Sequence, residues 1–180
     1  YDVNPYLADN PNDRVAEFEQ LIKRSHKAGL KVIIDFVPNH VARDYGKTAM
    51  SEGHPVLGAY DDRSVHWKAE NDFFYYVGES LTLPTPVPEG MKPYEETPAM
   101  ATGNNCYSPT PGINDWYETV KINYGDEHTA TWDRMYDIIE FWVSKGVDGF
   151  RCDMVELVPP QFFKWLISKI KTSYPDIIFV

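Results

Sequence analysis

Basic runs, cysteine pairs and long apolar stretches are all scarce in this 180-residue chain. Lys and Arg number 17 against 27 Asp and Glu, for a formal net charge of −10, and the positive residues do not cluster. That balance argues against nucleic acid and anionic membrane as partners, and its plain consequence is solubility. No run approaches the roughly 20 apolar residues that span a bilayer, so membrane insertion is not expected. The two cysteines, Cys106 and Cys152, make no disulfide framework. Cys152 sits in an apolar run and reads as a small buried hydrophobe. No Gly-rich phosphate loop follows any apolar run, which lowers a nucleotide-binding reading, and no organic cofactor is expected. The chain opens on Tyr1-Asp2-Val3-Asn4-Pro5 without an initiator Met or signal segment, and closes on the apolar Ile177-Ile178-Phe179-Val180. A piece of a longer fold is the expectation. The compartment is left open, with a secreted or periplasmic soluble protein favoured over a cytoplasmic one.

What is present is a repeated unit of helix, glycine, strand and acid. Asn12 or Asp13 can cap a helix from about Arg14 to Lys27, with Val15, Phe18, Leu21 and Ile22 as its apolar stripe and Gly29 to end it. Leu30 to Val37 then reads as a strand, its continuous apolar run suited to a parallel sheet covered on both faces. The next stripe is Trp132, Met135, Tyr136, Ile139, Trp142 and Val143; Gly146 ends it and Val147 to Cys152 is the strand. A third unit begins at Pro159-Pro160, with Phe162, Phe163, Leu166, Ile167 and Ile170 before the strand Ile177 to Val180. Alternating helices and buried strands mean parallel α/β architecture, either a barrel or a doubly wound sheet.

Between the units lies a stretch of different character, roughly Val41 to Tyr124. It is rich in aromatics and holds Pro55, Pro84, Pro86, Pro88, Pro93, Pro98, Pro109 and Pro111. A loop this long is functional or a small domain of its own, and it reads as an irregular subdomain inserted after the strand ending at Asp35. Two acidic motifs close strands on the same edge: Asp35-Phe36-Val37-Pro38-Asn39-His40 and Gly149-Phe150-Arg151-Cys152-Asp153. Strand residues two apart share a face, so Arg151 and Asp153 point one way and Phe150 and Cys152 the other. A carboxylate beside a guanidinium at a strand end suggests a nucleophile held ionised, or an ion pair that only holds the strand end.

With these two motifs flanking a Pro- and aromatic-rich insertion, the chain resembles the α-amylase family of glycoside hydrolases (glycoside hydrolase family 13). The first motif matches the family's Asp-x-x-x-Asn-His region and the second its Gly-x-Arg-x-Asp region. The resemblance implies part of a (β/α)8 TIM barrel, its third to fifth strands with their helices, formed by 1–40 and 125–180. The inserted domain B then covers 41–124. It also implies a retaining enzyme that cleaves α-glucosidic bonds in starch, glycogen or maltooligosaccharides, with Asp153 as nucleophile and Arg151 in contact with it. His40 then hydrogen-bonds the sugar, and Asp35 is structural support for Arg151. Tyr1 matches a tyrosine that stacks on the sugar, with an offset of one residue left open. Asn39 matches a calcium ligand, with the Leu157 carbonyl a further one.

Where many α-amylases carry Lys-His three and four residues after the nucleophile, this chain has Glu156-Leu157. That departure puts the leaving-group subsite, where Glu156 would lie, in question. With it goes the choice between hydrolysis and transfer by a maltosyl- or glucanotransferase. The family's general acid is a glutamate directly after a run like Ile177–Val180, so the remainder of the barrel is required and these residues alone are expected to be inactive. A non-catalytic glycan-binding relative is one alternative. An unrelated barrel enzyme with a divalent metal between Asp35 and Asp153 is another.

Overall fold

The computed structural model describes residues 1–45, 56–84, 89–90 and 94–180. Pro55, Pro86, Pro88 and Pro93 of the expected insertion lie outside the described residues. In chain order the elements are α1 (Arg14–Lys27), β1 (Ile33–Phe36), β2 (His40–Ala42), β3 (Tyr75–Tyr76), β4 (Ala99–Met100), β5 (Thr119–Lys121), α2 (Ala130–Ser144), β6 (Gly149–Cys152), α3 (Pro160–Ser173) and β7 (Ile178–Phe179). No helix among the described residues is long and apolar enough to cross a membrane.

The three helix–strand units form as the apolar periods require. Strands β1, β6 and β7 make a parallel sheet in that order, with Asp35 opposite Arg151 and Phe150 opposite Phe179. Alternation along each strand sorts the side chains. Phe36 and Phe150 join a core with Ile22 of α1, Ile139 of α2 and Leu166 of α3, while Asp35 and Arg151 lie on the open face. Gly149 is dictated by packing: a Cβ there would come within 2.6 Å of the Ile178 carbonyl oxygen, so only glycine lets β7 approach β6.

Two expectations change. The strand expected from Leu30 begins at Ile33, and Leu30 and Ile33 are 62% and 41% exposed rather than covered on both faces. Three strands cannot close on themselves, so the face of the sheet away from the helices is left open. The start of α1 also differs. Asp13 makes no side-chain cap; instead Asn10 Oδ1 accepts from the Asn12 amide at 3.1 Å. The Glu17 carboxylate reaches back to the Asp9 and Asn10 amides at 2.9 and 2.8 Å. A 3-10 turn over Pro11–Asp13 precedes the helix and moves the cap upstream of both expected residues.

The insertion is built on different terms. It contributes the short antiparallel pairs β2–β5 and β3–β4, with His40 opposite Lys121. Its apolar residues Leu57, Phe73, Tyr75, Val120 and Ile122 join the core of the parallel layer, and a small cluster of Tyr76, Ala99 and Ala101 stands beside it. Buried polar groups do the rest. Asp72, fully buried, accepts from the Gly58 amide and the Thr131 hydroxyl, each at 2.7 Å, and pairs with Arg134 of α2. Arg43 donates to the Tyr117 and Thr119 carbonyls at 2.7 and 2.9 Å and pairs with Glu96. Each charge taken from water here has a partner, as burial demands.

Candidate active site

Parallel register assembles the first part of the site. With Asp35 and Arg151 opposite each other, one Arg151 guanidinium nitrogen lies 2.8 Å from Asp153 Oδ1 and 3.4 Å from Asp35 Oδ2. Asp153 is fixed just past its strand by donating its amide to the Phe36 carbonyl at 2.9 Å. Its side chain is 30% exposed against 52% for Arg151 and 66% for Asp35, so it is the most sheltered of the three. Met154 follows in the left-handed conformation, at φ 54°. A non-glycine residue there costs about 1–2 kcal/mol. The turn it makes leads into the 3-10 segment Val155–Leu157, which brings the Leu157 carbonyl back toward the insertion.

His40 opens β2. Its ring meets the edge of Trp116 at 5.5 Å, and its Nδ1 lies 3.1 Å from Asn39 Nδ2. With Nδ1 accepting from that amide, the neutral ring carries its proton on Nε2, a donor. Burial pushes the His40 pKa down, with Asp153 opposing and Lys121 adding to the shift. Gly103 backs the ring closely: a Cβ there would sit 2.8 Å from the His40 Cβ and 2.7 Å from the Thr119 hydroxyl. Any larger residue would push His40 forward.

Asn39 is fully buried and its amide donates to the Gly103 carbonyl at 2.7 Å. Its Oδ1 accepts from the ammonium of Lys121, which also donates to the Leu157 carbonyl at 2.7 Å. Lys121 is itself buried, and burial lowers its pKa to about 8. The two oxygens that the family resemblance gives to calcium are thus both taken by an amine of the chain. Asn39 and Leu157 in this arrangement do not fit a calcium ion between them, because a cation already stands there.

The other expected site residues are placed less centrally. Tyr1 packs on α2, its ring edge-on to Phe141 at 5.3 Å and its hydroxyl 3.5 Å from the Arg134 carbonyl. Burial raises its pKa to about 12. Those contacts hold the ring against α2, where Tyr1 lines one cavity together with Asp35. Glu156 is exposed in the 3-10 turn beyond Asp153. Of the aromatics in the insertion, Tyr75, Tyr76 and Tyr117 are buried; Trp67 is exposed beside Phe74 and Tyr107, and Trp116 reaches His40. Lys121, Gly103 and Met154 are the residues that sequence reasoning missed. Only Gly103 left a trace, as a glycine within an aromatic-rich segment.

The family description "Alpha amylase, catalytic domain" matches residues 1–177. The chain belongs to the alpha-amylase family. Its parallel sheet with interleaved helices is therefore part of a (β/α)8 barrel rather than of a doubly wound sheet. Among alpha-amylase relatives, an alpha-1,4-glucan:maltose-1-phosphate maltosyltransferase of Mycolicibacterium smegmatis is 26% identical over 165 residues, covering 88% of this chain and 24% of that protein. An amino acid transporter heavy chain of Rattus norvegicus is 29% identical over 152 residues, covering 79% of this chain and 19% of that protein. The crystal structure of an alpha-amylase from Lactobacillus plantarum superposes with a TM-score of 0.56 at 23% identity, covering 94% of this chain and 29% of that one. The chain thus spans a quarter or less of these curated relatives. Their names include a transferase and a transporter subunit, so membership of the alpha-amylase family does not by itself fix the chemistry.

Proposed function

We propose that the protein carrying this chain is a retaining α-glucan-active glycosidase, and that these residues supply the nucleophile side of its site. The observation that supports this best is the sheltered carboxylate of Asp153, held at a strand end by Arg151 at 2.8 Å. In the proposed reaction an Asp153 oxygen bonds to the anomeric carbon as the glycosidic bond breaks, and a general acid gives its proton to the leaving oxygen. Water or a sugar hydroxyl then displaces Asp153, returning a proton to that acid. Arg151 positions the nucleophile, Asp35 braces Arg151, and His40 donates to the sugar through Nε2.

The general acid comes from outside these residues. Phe150 pairs with Phe179 across β6 and β7, and the Cys152 amide donates to the Val180 carbonyl at 2.7 Å. Continued, that register sets the second position after Val180 opposite Asp153. Adjacent strands lie about 4.8 Å apart, close to the roughly 5 Å between the carboxyl groups of a retaining pair. A glutamate there completes the pair, and the 180 residues alone hydrolyse no maltooligosaccharide.

Transfer to a sugar acceptor is the second reading, supported by the maltosyltransferase relative and by Glu156 at the position where many family members carry lysine. A metal between Asp35 and Asp153 is disfavoured, because the Arg151 guanidinium contacts both carboxylates. A glycan-binding relative without chemistry is disfavoured, because it would keep the Arg151–Asp153 pair only to hold the strand end. The test is Asp153→Asn in the full-length protein, assayed on maltooligosaccharides with and without added acceptor. Turnover falls by more than about 10³-fold with the fold retained. Products extended by the acceptor in the wild type favour transfer over hydrolysis. Near-normal turnover by the variant removes Asp153 from the chemistry.

A further inference from the structure

Calcium in this family is expected to tie the inserted segment to the barrel at Asn39. Here the same junction is closed by a side chain. Lys121 lies on β5, in the insertion, opposite His40 in the β2–β5 register. Its ammonium donates to Asn39, in the loop after β1, and to the Leu157 carbonyl, in the turn after Asp153. One cation therefore joins three segments that meet at the proposed catalytic edge. We propose that Lys121 is a covalently tethered replacement for calcium, so that the junction of insertion and barrel in this protein is held without a metal.

Three features of the donor set carry this. Asn39 has one acceptor oxygen; its amide nitrogen is engaged by the Gly103 carbonyl and lies beside His40 Nδ1, so the group cannot turn to offer a second. Calcium takes about six to eight oxygens at 2.3–2.6 Å, with carboxylates prominent among them. Here the ammonium meets an amide oxygen and a peptide oxygen, and among the described residues no carboxylate forms a salt bridge with Lys121. Nor does any group of three or more His, Cys, Asp or Glu among the described residues stand ready for a metal. A divalent ion sharing those two oxygens would lie within a few ångströms of a buried ammonium and be repelled by it. An ammonium needs no such shell: its three donors match neutral carbonyl oxygens. The inference is independent of the chemistry proposed for Asp153, since it concerns only what holds the junction.

The test uses the full-length protein and a local readout, so that calcium bound in other parts of it does not mislead. Hydrogen exchange of peptides covering Asn39, Lys121 and Leu157 is followed in EDTA and in millimolar CaCl2. The wild type is expected to show the same protection in both. Lys121→Met is expected to exchange at least about tenfold faster in all three peptides, whatever the calcium concentration. Loss of protection in the wild type on adding EDTA, confined to these peptides, overturns the proposal. So does a Lys121→Met variant as protected as the wild type. If Lys121→Met does not fold, the wild-type comparison decides alone, and calcium content measured for wild type and Asn39→Ala checks it. Equal content supports a metal-free junction; one calcium lost with Asn39→Ala contradicts it.

Discussion

The parallel layer and the insertion are held by different physics. In the layer, Phe162, Leu166 and Ile170 are fully buried at helical spacing, and many apolar contacts of similar kind share the load. In the insertion, a few buried polar groups with fixed partners fasten irregular chain: Asp72 on Arg134 and Thr131, Arg43 on Glu96, Lys121 on Asn39 and Leu157. A shared apolar load tolerates substitution by shape. A paired charge does not tolerate loss of its partner. The layer should therefore feel changes of volume, and the insertion changes of chemistry at constant volume.

That contrast can be broken by measurement of denaturation midpoints in the full-length protein. The largest effect is expected at Phe162→Ala, about 3–5 kcal/mol, because the ring fills the space between Tyr124 and Trp132. Asp72→Asn keeps its volume yet should cost about 2–4 kcal/mol, leaving the Arg134 charge without its counter-ion. Leu166→Met, of comparable volume in the layer, should cost less than about 1.5 kcal/mol. If Leu166→Met proves worse than Asp72→Asn, the distinction between the two regions fails. The smallest effect belongs to Lys68→Ala, within about 0.5 kcal/mol, because its 3.5 Å pair with Asp62 is exposed on both sides. Burial, rather than membership of the insertion, is what gives a charge its weight.

The same contrast explains what the sequence revealed. Stripes such as Phe162, Leu166 and Ile170 repeat, so the helices of the layer are legible from period, and its strands from short continuous apolar runs. The shared face of Arg151 and Asp153 follows from a period of two, and the structure places them in contact. The cap of α1 was misplaced because Glu17 acts backward across a turn that no apolar pattern marks. Lys121 was invisible for a deeper reason. It is one of 17 basic residues, and nothing local distinguishes it from a solvated lysine. Its two partners lie 82 and 36 residues away, so its role exists only once the chain has folded. Met154 is similar: its left-handed backbone is imposed by the turn from Asp153 to Leu157, against the preference of its own side chain.

Asp153 remains the residue on which the functional reading turns. The direct measurement is mass spectrometry of the full-length protein, acid-quenched during turnover of a maltooligosaccharide and digested. A retaining mechanism predicts a glycosyl mass on the peptide containing Asp153, absent from Asp153→Asn, and a product that keeps the α configuration. An adduct on a different peptide, or a product of inverted configuration with no adduct, contradicts the assignment.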